Sequence, residues 1–156
     1  MKKITLFIAA ILFLNVSYAQ DALTEEIEIV QNLFGAEKRT IIDENINLDG
    51  VDSAAFWKIY DEYEISRKEI GKQKLELLHR YTTQKGAVSN MQAEELLKKS
   101  ISLRSAEDNN IYKAVKKLKK ATSPLVASQF YQIEHYISDG IRFSILDNID
   151  FIQDKD

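Results

Sequence analysis

LDGVDSAAFWKIYDEY (Leu48–Tyr63) decides the fold, because a fainter copy of it, TSPLVASQFYQIEHY (Thr122–Tyr136), returns later in the chain. In each, a short polar turn is followed by a phenylalanine, Phe56 or Phe130, and three residues on by an isoleucine, Ile59 or Ile133. Asp49 with Asp52, and Ser123 with Pro124, are helix-start signals. Each offers an oxygen side chain that accepts from free N–H groups, then acid or proline in the first turn. Two helices thus begin by one formula, each soon presenting a large aromatic residue.

The rest of the chain carries helical spacing as well. From Asp21 to about Ile46, Leu23, Ile27, Val30, Phe34, Ile41 and Ile42 recur at three- and four-residue steps, with a gap around Gly35. Glycine costs about 1 kcal/mol against alanine inside a helix, so a bend or break is expected there. The second helix is predicted over Val51–Lys85, closed by Lys85-Gly86. On a 3.5-residue repeat, Phe56, Tyr60, Tyr63, Arg67, Ile70, Lys74, Leu77 and Tyr81 form a coiled-coil-like seam. Ser89 and Gln92 form a capping box for a third helix, Asn90–Ala121. Its seam reads Leu97, Ile101, Arg104, Asp108, Ile111, Val115 and Leu118.

Folding this hairpin about residue 87 sets Phe56 against Leu118, Tyr60 against Val115, Tyr63 against Ile111 and Leu77 against Leu97. Arg67 then falls beside Glu107 and Asp108. Such a pair either is buried and fixes register at a cost in stability, or reaches water on its long side chain. The second is expected. A fourth helix is predicted over Pro124–Asn148. Its isoleucines at 133, 137, 141, 145 and 149 step by four and so wind around the helix. A helix apolar over so much of its girth is wrapped by others or meets another chain.

Composition narrows the class. Lys2 and Lys3 precede an apolar run, Ile4–Leu14, and small residues lead to Ala19, so Met1–Ala19 reads as a cleaved secretory signal peptide directing the chain to the periplasm. Removing its two lysines from the 21 basic residues leaves 19 against 24 acidic, a net charge of −5. That balance gives no reason to expect nucleic acid. Without cysteine, stability rests on packed apolar side chains. One proline and five glycines among 156 residues argue against an all-β fold. The expected organisation is all-α: a signal peptide over residues 1–19, one four-helix domain over 20–150 around a long central antiparallel hairpin, and an acidic disordered tail over 151–156. No stable membrane span is expected after signal cleavage.

Enzymatic signals are missing. His79 and His135 are the only histidines, neither in a glycine-rich elbow, and no cysteine nucleophile exists. His135 and Asp139, at i and i+4, are two ligand types without the rest of a site. No catalytic residue, metal site or cofactor is assigned, and an enzyme is not expected. Two features point to binding instead. Lys98–Lys120 holds eight basic residues against Glu107 and Asp108, among them Lys98, Lys99, Arg104, Lys113, Lys116 and Lys117, and offers an attractive surface to acidic partners. Of the aromatic set, Phe56, Tyr60, Tyr63 and Phe130 are expected in the core. Trp57 and Tyr131 lie off the best seams and are expected to be more exposed, available for apolar contact. Arg67 and Ile133 complete the structural set.

Signal peptide, helix, turn, Phe-Trp-x-Ile-Tyr helix, long hairpin, Ser-Pro and Phe-Tyr-Gln-Ile-Glu, taken in that order, resemble the Spy/CpxP family of small periplasmic helical proteins, in its divergent Bacteroidetes-type members. The resemblance covers about Leu48 to Ile137, and more loosely Glu26 to Asn47. The family's two Leu-Thr-x-x-Gln motifs fall on Leu48–Asp52 and Thr122–Val126, where neither glutamine is kept. The resemblance implies an ATP-independent chaperone or an envelope-stress sensor, built as a curved hairpin that dimerises into a cradle. The expected role is a holdase for unfolded or stress-damaged proteins, working as a homodimer. The alternative is a signalling protein with one dedicated envelope partner, such as a sigma-factor regulatory system.

Overall fold

The computed structural model describes residues 20–83, 88–149 and 152, with backbone alone at 20–26, 28–30 and 33. The signal peptide, the Lys85-Gly86 helix end and the acidic tail (Ile152 apart) lie outside the described residues. Four helices follow in order: α1 Gln20–Asn45, α2 Ser53–Thr82, α3 Asn90–Ala121 and α4 Pro124–Leu146. No strand occurs among the described residues. The fold is all-α, and the long hairpin is α2–α3.

Local chemistry sets the helix starts. Asp52 is the N-cap of α2, its Oδ1 accepting from Ala55 N at 2.9 Å. Gly50, at φ +75°, makes the turn before it, a conformation that a Cβ disfavours. Ser89 and Gln92 close the capping box of α3. Ser123 caps α4, accepting from Val126 N at 3.1 Å with Pro124 in the first turn. Gly35 does not break α1, which is continuous from Gln20 to Asn45. The intrahelical bonds persist through it, and its open side is occupied by Lys68, whose Cε a Cβ would meet at 3.6 Å.

The helices form an up-down-up-down ring in which each packs on its sequence neighbours and α1 closes against α4. The α2–α3 hairpin is the longer pair. At 1.5 Å per residue, α3 extends about 48 Å against about 35 Å for α4. One end of the bundle, beside the turns at 46–52 and 122–123, is closed by a core of Ile42, Phe56, Tyr60, Leu118 and Phe130. Phe130 meets Tyr63 and Tyr60 edge-on, with ring centroids 5.3 and 6.4 Å apart. The other end, toward the hairpin tip, is open.

The two predicted seams fare differently. Every α2 seam position from Phe56 to Tyr81 is buried or faces the interior. On α3, Leu97 is 60% and Ile101 58% exposed, so Leu97 does not meet Leu77. The inward row is instead Leu96, Ser100, Leu103, Glu107, Ile111, Ala114 and Leu118. That row averages close to 3.7 residues per turn, because a straight α-helix drifts off a strict heptad by about 20° per repeat. The hairpin register holds near Tyr63, whose carbonyl accepts from Asn110 Nδ2 at 3.1 Å.

Candidate functional site

Where the closed end meets the open one, α1, α2 and α4 each put charge into the interior. On α1, Lys38 lies one turn after Phe34 and one before Ile42, and is 1% exposed. On α4, Glu134 lies one turn after Phe130 and is fully buried. Glu64 follows the core residue Tyr63 on α2. Lys38 Nζ binds Glu64 Oε1 and Glu134 Oε2, each at 2.6 Å. Tyr63 Oη donates to Glu134 Oε2 at 2.6 Å, and Arg67 Nε donates to Glu64 Oε1 at 2.8 Å. Two cations and two carboxylates from three helices therefore balance within one buried layer.

The layer holds its members in defined states. Burial pushes the Glu64 carboxyl up, but Lys38 and Arg67 outweigh it, and its pKa falls below the ordinary 4.5. Burial pushes Arg67 down, and Glu64 more than reverses it. Tyr63 and Tyr60 are held above the ordinary 10 by burial first, then by the neighbouring carboxylates. Both phenols therefore stay neutral, and Tyr63 acts as a donor. Glu134 Oε1, Arg67 Nη2 and Tyr60 Oη are buried without a hydrogen-bond partner among the described residues. Unspent hydrogen-bonding capacity inside a bundle is costly.

Beyond this layer a groove of about 700 Å³ runs toward the hairpin tip. Ile70 and Leu77 of α2, Leu103 of α3, and Ile141 and Ile145 of α4 form its apolar walls. Arg67 lies at its inner part, with the side chain 17% exposed. Glu107 is held on the wall by Lys74 at 3.0 Å and Arg142 at 3.4 Å. At Gly71, α1 and α2 come close, since a Cβ there would meet Gln31 Nε2 at 3.0 Å. That nitrogen donates to Lys68 O at 2.9 Å.

These contacts correct the expectation for Arg67. It is not a solvated partner of Glu107 and Asp108 but a largely buried partner of Glu64, three residues back on its own helix. Glu107 is taken by Lys74, two turns along α2, and Asp108 by Arg104 at 3.3 Å. The reason is electrostatic: Glu64 is already desolvated beside Lys38 and offers the nearer, stronger field.

The other predicted residues lie elsewhere. Trp57 and Tyr131 are partly buried and pack against the core, rather than projecting from it. Trp57 meets Phe56 and Tyr60 edge-on, and the Arg39 guanidinium lies 4.0 Å from its ring centre. Tyr131 stacks on Tyr112 at 6.3 Å. Ile133 packs on the core from its edge. Lys98, Lys99, Arg104, Lys113, Lys116 and Lys117 are exposed. Lys113, Lys116 and Lys117 border a cleft between α2 and α3, where Lys117 binds Glu62 at 2.6 Å. Lys99 donates to Gln73, and Lys98 pairs with Glu94. His135 lies against Tyr131, and Asp139 binds Arg142. The two do not converge on one ion.

Lys38, Glu64 and Glu134 were missed by sequence reasoning. Lys38 stands between Phe34 and Ile42, and Glu134 between Phe130 and Ile137, but Glu64 is followed one turn on by Arg67 and Lys68, and no local spacing joins the three. Among the described residues no helix is long and apolar enough to cross a membrane. The chain matches no protein-family model, no curated protein and no solved structure.

Proposed function

We propose that the protein is a periplasmic, ATP-independent binding protein of holdase type, acting as a homodimer on unfolded or stress-damaged proteins. The observation that carries this reading is the outer surface of α3. Leu97, Ile101 and Tyr112 are exposed there at helical spacing, beside the exposed cations Lys98, Arg104 and Lys116. Isolated exposed apolar residues need no explanation, but a row of them set among cations joins apolar contact to long-range attraction. The resemblance to the Spy/CpxP family supports the same reading.

The test is light scattering of two unrelated aggregating proteins with increasing amounts of the protein and no nucleotide. Suppression of both near stoichiometry is expected, weaker in Leu97→Ser/Ile101→Ser and weaker at high salt, which screens the cations. If neither client is protected, the holdase reading fails.

A second reading, a sensor with one dedicated envelope partner, has its own observation. Leu125, Tyr136 and Phe143 are exposed on α4, and their spacings of eleven and seven residues place them along one line of the helix. Such a row suits a single partner helix. Crosslinking from Phe143 that captures one envelope protein, with no protection of clients, would decide for it.

A further inference from the structure

Another opening lies on the outer face of the hairpin, toward the closed end of the bundle. It is a cleft of about 530 Å³ between α2 and α3, and its charged lining is one-sided: Lys113, Lys116, Lys117 and Lys120 against Glu62. We infer that this cleft is a binding site for a diphosphate or a comparable pair of phosphate groups, free in solution or carried by a lipid headgroup. The inference goes beyond the client surface on α3, with which it shares Lys116 alone, and does not depend on it.

The charge is uncompensated. Lys117 binds Glu62 at 2.6 Å, so that carboxylate is spent. Lys113, Lys116 and Lys120 are exposed and make no ion pair among the described residues. The hydrogen bond and charge of Lys117, helped by Lys58, hold the Glu62 carboxyl below its ordinary 4.5. Toward the hairpin tip, the cations of α3 are taken: Lys98 pairs with Glu94, Lys99 donates to Gln73 and Arg104 pairs with Asp108. A positive field is therefore local to the cleft, on a chain whose net charge is −3.

The spacing works against the helix. Positions 113, 116, 117 and 120 are three and four residues apart, so each lysine neighbours two others on one face. Like charges at that spacing destabilise a helix. Attraction to the helix dipole reaches only the last turn, which holds Lys120 and none of the other three. Helix stability thus gives no reason for the cluster, and a bound polyanion gives one.

The donors select the ligand. Among the described residues no arginine lines the cleft, so the planar fork that matches a carboxylate is missing. Lysines are rotatable point charges, suited to phosphate oxygens that point in several directions. On α2, the Ser66 hydroxyl lines the same cleft, is exposed and is hydrogen-bonded to nothing among the described residues, which adds a neutral donor. One phosphate group carries about −1.5 to −2 at neutral pH, so two of them match the three unpaired lysines better than one. Lys113 and Lys120 lie about 10 Å apart along α3, within reach of one diphosphate through their flexible side chains.

The test is calorimetric titration of the purified protein with pyrophosphate, with citrate as a carboxylate control of similar charge. One pyrophosphate should bind per chain, at least about fivefold more tightly than citrate. Raising salt from about 50 to about 300 mM should weaken it at least about threefold. Lys113→Gln/Lys116→Gln/Lys120→Gln should lower affinity at least about tenfold without lowering the urea midpoint, because it also removes repulsion. Lys98→Gln/Lys99→Gln/Arg104→Gln removes equal charge outside the cleft and should leave affinity within about twofold. So should Leu97→Ser/Ile101→Ser, which probes the client surface alone. Flotation with phosphatidylcholine vesicles, with and without phosphatidic acid, identifies the source. Capture by phosphatidic acid that pyrophosphate reverses assigns the cleft to a lipid headgroup, and pyrophosphate binding without capture assigns it to a soluble ligand. No pyrophosphate binding, citrate binding equally well, or equal losses in the two charge variants would overturn the proposal.

Discussion

The closed and open ends of the bundle are built from the same helices and fill their interiors differently. At the closed end, Phe130 meets Tyr60 and Tyr63 edge to face and Phe56 stacks on Tyr60, in one core with Leu118 and Ile42. At the open end, aliphatic residues of α2 and α4 line space without filling it. Between them the layer of Lys38, Glu64, Glu134 and Arg67 separates a packed core from a groove. One bundle can therefore assign its stability to one half and leave the other available for binding, provided the boundary is itself firmly held.

The boundary should show the largest effect. Lys38→Ala leaves Glu64 and Glu134 buried and facing each other, and is expected to cost about 3–5 kcal/mol in urea unfolding. The exposed pair Arg39–Asp61, of similar length at 2.6 Å, should cost within about 1 kcal/mol when Asp61 becomes alanine. Equal losses would mean the inner layer is wet and does not divide the molecule.

Packing is the next contrast. Phe130→Ala opens a cavity in a filled core and should cost about 3–5 kcal/mol. Ile145→Ala only widens an existing groove, so the cavity contribution is small and a loss of about 1 kcal/mol is expected. A loss at Ile145 as large as at Phe130 would show that the open end is packed shut in solution.

Acid should act on the boundary in a defined direction. Glu64 has its native pKa below the unfolded 4.5, so between those values the unfolded chain binds more protons. Its contribution is complete above about pH 4.5 and is lost as pH falls through the native value. Unfolding free energy measured across pH 3–6 should therefore rise with pH. Glu64→Gln should flatten that slope, and an unchanged slope would place the acid response outside this layer. The smallest effect is local. Ser89→Ala removes the capping box at the open end and should cost about 1 kcal/mol, as should Asp52→Ala at the closed end. A much smaller loss at Ser89 would mean that the hairpin tip contributes little to global unfolding.

Helix starts, their capping residues and the α2 seam were legible because each depends on residues three or four apart. Ser89, Ser123 and the row from Phe56 to Tyr81 answer to local geometry alone, whereas the cap of α2 is Asp52, three residues after the expected Asp49. The inward face of α3 was not legible in the same way. Two candidate rows one residue apart, through Leu97 and Ile101 or through Leu96 and Leu103, are both apolar. The drift between 3.5 and 3.6 residues per turn, summed over the helix, decides between them. Only the partners settle that choice. The buried layer is the strongest case. Lys38, Glu64 and Glu134 each look like an ordinary solvated charge, and no spacing rule joins residues 26 and 71 positions apart, as in the Lys38–Glu64 and Tyr63–Glu134 contacts. The sequence determined four helices and where they begin. The tertiary structure decided which charges leave water, because the cost of burying an ion is met only when its partners arrive from other helices.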